Sequence, residues 1–141
     1  MNSINETQAA ITALKHLNCE IWVSYILKDK NNLLSGERLI DGLKLLNDNN
    51  INVVLLNCNP LKRTRNAVDN IVDNWHSKWG IYPNLGLGEP SPDGHIEKYS
   101  SIYNFTQTIK YAISSGASLI GGCCGSSPNH IAIIKKIIKS Y

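Results

Sequence analysis

The sequence predicts an α/β fold built on parallel strands, and three observations predict it. Four apolar runs of strand length, IWVSYIL at 21–27, NVVLLNC at 52–58, GIYPNLG at 80–86 and SLIGGCC at 118–124, are continuous rather than alternating. That pattern belongs to strands covered on both faces, as in parallel sheets. Segments with helical spacing lie between and around them, so the order is one helix followed by four strand–helix units, which implies right-handed crossovers. Two closures satisfy this order: an open doubly wound sheet, or part of a (β/α)8 barrel. A full barrel takes roughly 250 residues, and the 141 residues here supply about half of one.

The elements follow in order. Glu6 to Leu17 carries Ile11, Leu14 and Leu17 at helical spacing. The first apolar run comes next, with Cys19 at its start expected in the core. GERLIDGLKLLND places Leu39, Leu43 and Leu46 on one face, and NAVDNIVDNW does the same with Val68, Ile71, Val72 and Trp75. Between them lies the second run. The third is the least regular, because Pro83 has no N–H to give a ladder. IYNFTQTIKYAISSG offers Ile102, Phe105, Ile109 and Ala112, with Gly116 placed to end the helix. PNHIAIIKKIIKS opens on a proline suited to a first helical turn and sets isoleucines opposite lysines.

Composition narrows the class. With 43% hydrophobic residues the chain can close one domain around a real core, burying roughly 68–70% of its unfolded surface. The net charge of +3 comes from scattered lysines and arginines not interleaved with aromatics, so nucleic acid is not an expected partner. The start, MNSINETQAAITALKHL, lacks the flank and apolar core of a signal peptide. No apolar run approaches the roughly 18 residues of a membrane helix. A soluble, cytoplasmic protein is expected, its four cysteines reduced thiols rather than a disulfide framework.

The chemistry gathers at strand ends. Cys58 closes the second run, and Cys123 and Cys124 close the fourth. In parallel α/β folds ligands collect at the carboxyl ends of strands. For adjacent cysteines to serve one purpose the backbone must leave strand geometry, and Gly121, Gly122 and Gly125 permit that. Three thiolates suit Zn²⁺, at about 2.3 Å each with one tetrahedral position left open. The residues alone also admit small buried cysteines, a vicinal redox pair, or a glycine-lined phosphate loop. His130, in the first turn of the last helix, reads as a capping or surface residue near the cysteines. His16, His76 and His95 sit in helix-end or loop contexts. No Ser–His–Asp arrangement, Walker loop or pair of metal-binding histidines is present.

GGCCGSSPNHI resembles the GGCCG-[ST]-x-P-x-H-I signature of the homocysteine S-methyltransferase family, and LLNCNP resembles the upstream segment in which an Asn-Cys pair ends a strand. IYPNLG followed by PSPDG, and IWVSYIL followed by a polar loop and LIDGL, resemble the intervening segments, in order from about Glu6 onward. The resemblance implies a (β/α)8 TIM barrel of which this chain, 1–141, is a partial homocysteine-binding domain: the carboxy-terminal half, strands five to eight. It implies zinc held by Cys58, Cys123 and Cys124, with the homocysteine thiol as fourth ligand. Asn57 and Asn84 match positions beside that site and are expected to bind substrate. The implied reaction moves a methyl group from S-methylmethionine or S-adenosylmethionine to homocysteine, giving methionine. The family's first half, with the acidic residues that hold the homocysteine amino group, has no counterpart here. The expected partners therefore include a second copy or a complementary half-barrel chain, and the alternative is a catalytically inactive zinc-binding remnant.

Overall fold

The computed structural model describes residues 1–87 and 98–141. The PSPDG segment and His95 lie outside the described residues. The elements are α1 (Ile4–Leu14), β1 (Trp22–Tyr25), α2 (Leu39–Asp48), β2 (Val53–Pro60), α3 (Leu61–Asn74), β3 (Lys78–Asn84), β4 (Gly86–Leu87), β5 (Lys98–Tyr99), α4 (Ile102–Ser114), β6 (Leu119–Ile120) and α5 (Pro128–Ile138). β4 and β5 make a two-stranded antiparallel ribbon. The main sheet is parallel, in the order β1-β2-β3-β6.

That order never reverses. Right-handed crossovers between successive neighbours therefore place their helices on the same face, whereas a doubly wound sheet needs a reversal. The strand order is therefore singly wound.

The register divides the side chains into two sets, because residues paired across parallel strands point the same way. Val23, Tyr25, Leu27, Val54, Leu56, Trp79 and Ile81 face the helices and belong to the core, together with Leu43, Leu46, Val68, Ile71, Phe105, Ile109 and Ile134. The other set follows the rows Trp22–Val53–Lys78 and Ser24–Leu55–Gly80–Leu119. Val53 and Leu55 are buried, yet neither belongs to the helix-side core. Gly80 is obligatory for a local reason: a Cβ there would overlap the Leu119 carbonyl, so the close approach of β3 and β6 requires glycine.

Local signals fix the helix ends. Ser3 and Ser101 accept from the N–H of Glu6 and Asn104, capping α1 and α4. Gly116, at φ +97°, ends the turn after α4 as expected. Pro83 is tolerated inside β3 because its carbonyl still accepts from the Cys123 N–H at 3.1 Å, so only the donor side of the ladder is lost.

Several side chains depart from expectation. α1 buries only Thr7 and Ile11, so Leu14 and Leu17 are exposed and the helix stops at Leu14. Cys19 is exposed, because the strand begins three residues beyond it at Trp22. Val72 and Ile102 point outward, since the buried stripes run through Val68–Ile71 on α3 and Phe105–Thr108–Ile109 on α4. Among the described residues, no helix is long and apolar enough to cross a membrane.

Candidate metal centre

β2 is a regular apolar strand as far as Asn57, then changes character. Asn57 pairs with Tyr82 but Pro60 pairs with Asn84, so β2 carries one extra residue, a bulge. Cys58 sits in it at φ +54°, a conformation L-residues avoid at a cost of about 1–2 kcal/mol. The bulge re-aims its side chain, and the next residue holds the strand end in place. Asn59 is fully buried; its side-chain carbonyl accepts from the Leu27 N–H at 2.7 Å and its amide donates to the Tyr25 carbonyl at 3.2 Å. Its own backbone carbonyl accepts from the Thr64 hydroxyl at 3.0 Å, tying β2 to α3.

The second arm of the site continues the β3–β6 ladder beyond the formal strand. Gly121 N–H donates to the Ile81 carbonyl, Cys123 N–H to Pro83, and Leu85 N–H back to the Cys124 carbonyl at 2.9 Å. The chain then turns: Ser126 N–H donates to the Cys123 carbonyl, and Gly125 adopts φ +76°. A Cβ at Gly125 would press on the Tyr99 ring at 2.6 Å, so both backbone angle and space demand glycine there. The Ser126 hydroxyl is buried beside Gly122 without a hydrogen-bond partner.

These two arms bring Cys58, Cys123 and Cys124 together, with their sulfurs all within 4.8 Å of one another. Cys58 Sγ lies 3.4 Å from Cys124 Sγ, and Cys123 Sγ lies 3.9 Å from Cys124 Sγ. A tetrahedral ion with sulfurs at about 2.3 Å holds them about 3.8 Å apart, so the cluster fits zinc with little rearrangement. All four cysteines are free thiols; Cys58 and Cys123 are half-buried and Cys124 is exposed. Burial pushes the Cys58 thiol up to about 12, and the facing Cys123 and Cys124 thiols add to the shift. A bound cation reverses that balance, because coordination requires the thiolate.

The remaining candidates separate. Asn57 is half-buried one residue before Cys58, in register with Tyr82. Asn84 ends β3, and its side-chain carbonyl accepts from the Gly86 N–H at 2.7 Å in a local turn. His130 turns toward its own helix: Nδ1 accepts from the Ser127 N–H at 3.1 Å, closing a capping box, and the ring stands edge-on to Phe105. Asn59 escaped the sequence reading; the only trace of it is a second amide in an otherwise apolar strand.

The family model described as homocysteine S-methyltransferase matches residues 1–138. Homocysteine S-methyltransferase 1 of Zea mays is 31% identical over 95% of this chain and 43% of its own length. The selenocysteine methyltransferase of Astragalus bisulcatus is 28% identical, over 96% of this chain and 41% of its own. Among solved structures, the metallated form of the homocysteine methyltransferase MmuM from Escherichia coli superposes with a TM-score of 0.78 at 25% identity, covering 96% of this chain and 42% of that one. The chain thus spans about two fifths of the length of the curated relatives it matches.

Proposed function

This chain belongs to the homocysteine S-methyltransferase family, and on that premise we propose that residues 1–141 are the carboxy-terminal half of a (β/α)8 homocysteine-binding domain whose metal centre is Cys58, Cys123 and Cys124. The observation that carries the reading is the convergence of three sulfurs from two strand ends to within 4.8 Å. The three thiols lose their protons to become ligands, and the bulge at Cys58 and the glycines around Cys123 and Cys124 hold them in place. When bound, zinc supplies a Lewis acid with one open position, which lowers the pKa of an incoming thiol. The thiolate of homocysteine then takes the methyl group from a sulfonium donor, S-methylmethionine or S-adenosylmethionine, and methionine and the demethylated donor leave. Asn57 and Asn84, flanking the cysteines on β2 and β3, orient the substrate's polar groups. A cytoplasmic setting, where thiols stay reduced, suits the centre.

The sheet face opposite the helices, with Trp22 half-exposed, is the interior of the barrel in this reading. It is closed by the complementary half of the barrel. That face also favours a second reading: a zinc-binding half-barrel, inactive until the rest of the barrel joins it. Zinc-loaded protein incubated with homocysteine and either donor, with methionine followed by mass spectrometry, separates the two. Methionine formation abolished by Cys58→Ser, Cys123→Ser or Cys124→Ser supports the enzyme. Zinc bound by the three sulfurs without methionine from either donor supports the inactive half-barrel.

A further inference from the structure

We propose, on the three-sulfur reading above, that Ser126 is a positioning residue of the metal centre, its hydroxyl donating to a thiolate of the Cys123–Cys124 pair once those cysteines become ligands. The observation that carries this is an orphaned donor. Ser126 is half-buried, yet its hydroxyl oxygen is covered and has no hydrogen-bond partner; among the described residues no other buried side-chain oxygen or nitrogen is left so. A buried polar group without a partner is destabilising, and native chains carry few of them. The hydroxyl has no local duty either. The turn over Cys123–Ser126 is closed by the Ser126 backbone, whose N–H donates to the Cys123 carbonyl at 3.0 Å. The cap of α5 belongs to the next residue, Ser127, whose hydroxyl lies 2.9 Å from His130 Nδ1. Alanine at 126 would serve the backbone equally well.

Gly122 shows that room is kept for this side chain. Unlike Gly125 it does not have a positive φ, so no backbone angle calls for glycine there. A Cβ on it would lie 2.4 Å from the Ser126 oxygen and 2.7 Å from the Ser126 Cβ, so the missing side chain at 122 is what admits the serine. The hydroxyl is thereby packed against the residue before Cys123, while its own residue stands two beyond Cys124. Chemistry explains why it is unpaired in the free chain. A thiol sulfur is a weak acceptor, whereas a thiolate is a strong one. Three thiolates around a divalent cation leave one net negative charge, and groups that hydrogen-bond the ligands hold them in orientation and strengthen metal binding. His130 is not such a donor at Nδ1, which accepts from the Ser127 N–H, and its ring is set against Phe105. Of the two hydroxyls in GGCCGSS, that of Ser126 is the uncommitted one.

The test compares the reduced chain with Ser126→Ala in two measurements: zinc affinity by competition with a chromogenic chelator, and thermal unfolding with the metal removed. Ser126→Ala is expected to bind zinc about tenfold more weakly at unchanged stoichiometry, the effect of losing a group that hydrogen-bonds a ligand. Its metal-free unfolding temperature is expected to stay level or rise, because an unsatisfied buried hydroxyl has gone. A side chain that only packs would move both quantities the same way. With cobalt(II) in place of zinc, the sulfur-to-metal charge-transfer band should shift to lower energy in Ser126→Ala, since a thiolate has lost a hydrogen bond. Equal zinc affinity in parent and variant, or affinity and metal-free stability that fall together, overturns the role of Ser126 and leaves the three-sulfur centre standing. A parent chain that binds no zinc overturns the centre itself, and this role with it.

Discussion

On the helix side of the sheet, Tyr25, Leu56 and Ile81 are 0% exposed, locked between strands and helices. On the opposite side, Trp22 is 51% exposed, and a hydrogen bond between the Ser24 and Tyr82 hydroxyls reaches across β2. The difference teaches where stability and function are divided. One face completes a core from this chain's own residues. The other carries a row of mixed apolar and polar groups that leads, at its carboxyl end, to the cysteines.

Substitutions on the two faces should therefore differ in size. Leu56→Ala opens a cavity in the helix-side core and should cost about 2–5 kcal/mol in urea unfolding. Equal losses from Leu56→Ala and Trp22→Ala would erase the comparison. Asn59→Ala comes next: it strips the Leu27 N–H and the Tyr25 carbonyl of their partners and should cost about 1–3 kcal/mol for the first buried group alone. Because Asn59 anchors the strand end beside Cys58, this variant should also weaken zinc binding, measured by competition with a chromogenic chelator. Tyr82→Phe removes only the bond to Ser24 and should cost about 0.5–1.5 kcal/mol. Trp22→Ala should fall below about 1 kcal/mol for the chain alone, and more if a partner half buries the face, which makes its concentration dependence informative.

A further prediction is a pH dependence whose sign depends on the metal. Cys58 has its thiol raised from 9.0 to about 12 in the folded chain. A raised value means the protonated thiol favours the fold fully below 9.0, and that contribution is lost as pH climbs toward about 12. Metal-free protein should therefore lose thermal stability across that window, less so in Cys58→Ser. Zinc-bound protein should show the reverse toward acid, losing metal as protons compete for the sulfurs. Identical profiles with and without zinc would argue against coordination by Cys58.

Much of this was legible in the residues. Continuous apolar runs alternating with helical spacing gave the parallel sheet, and the glycine-fenced Cys123–Cys124 pair pointed to the end of the last strand. What escaped depends on tertiary accommodation. Nothing in LLNCNP marks the bulge or the positive φ at Cys58, because no glycine stands there to announce it. Asn59 reads as one polar residue among several, and only the paired ends of β1 and β2 reveal that its amide is satisfied on both sides. Cys19 misleads because it stands next to an apolar run; the helix packing stops at Ile11, and the chain is exposed from Thr12 to Glu20.

The most direct test is native mass spectrometry of the reduced, zinc-supplied chain beside its Cys58→Ser, Cys123→Ser and Cys124→Ser variants. One zinc per chain, lost in each variant, is the expected result, and a defined dimer in the same spectrum would identify a second copy as the closing half. A chain that binds no zinc, or that keeps it without Cys58, would contradict the three-sulfur centre.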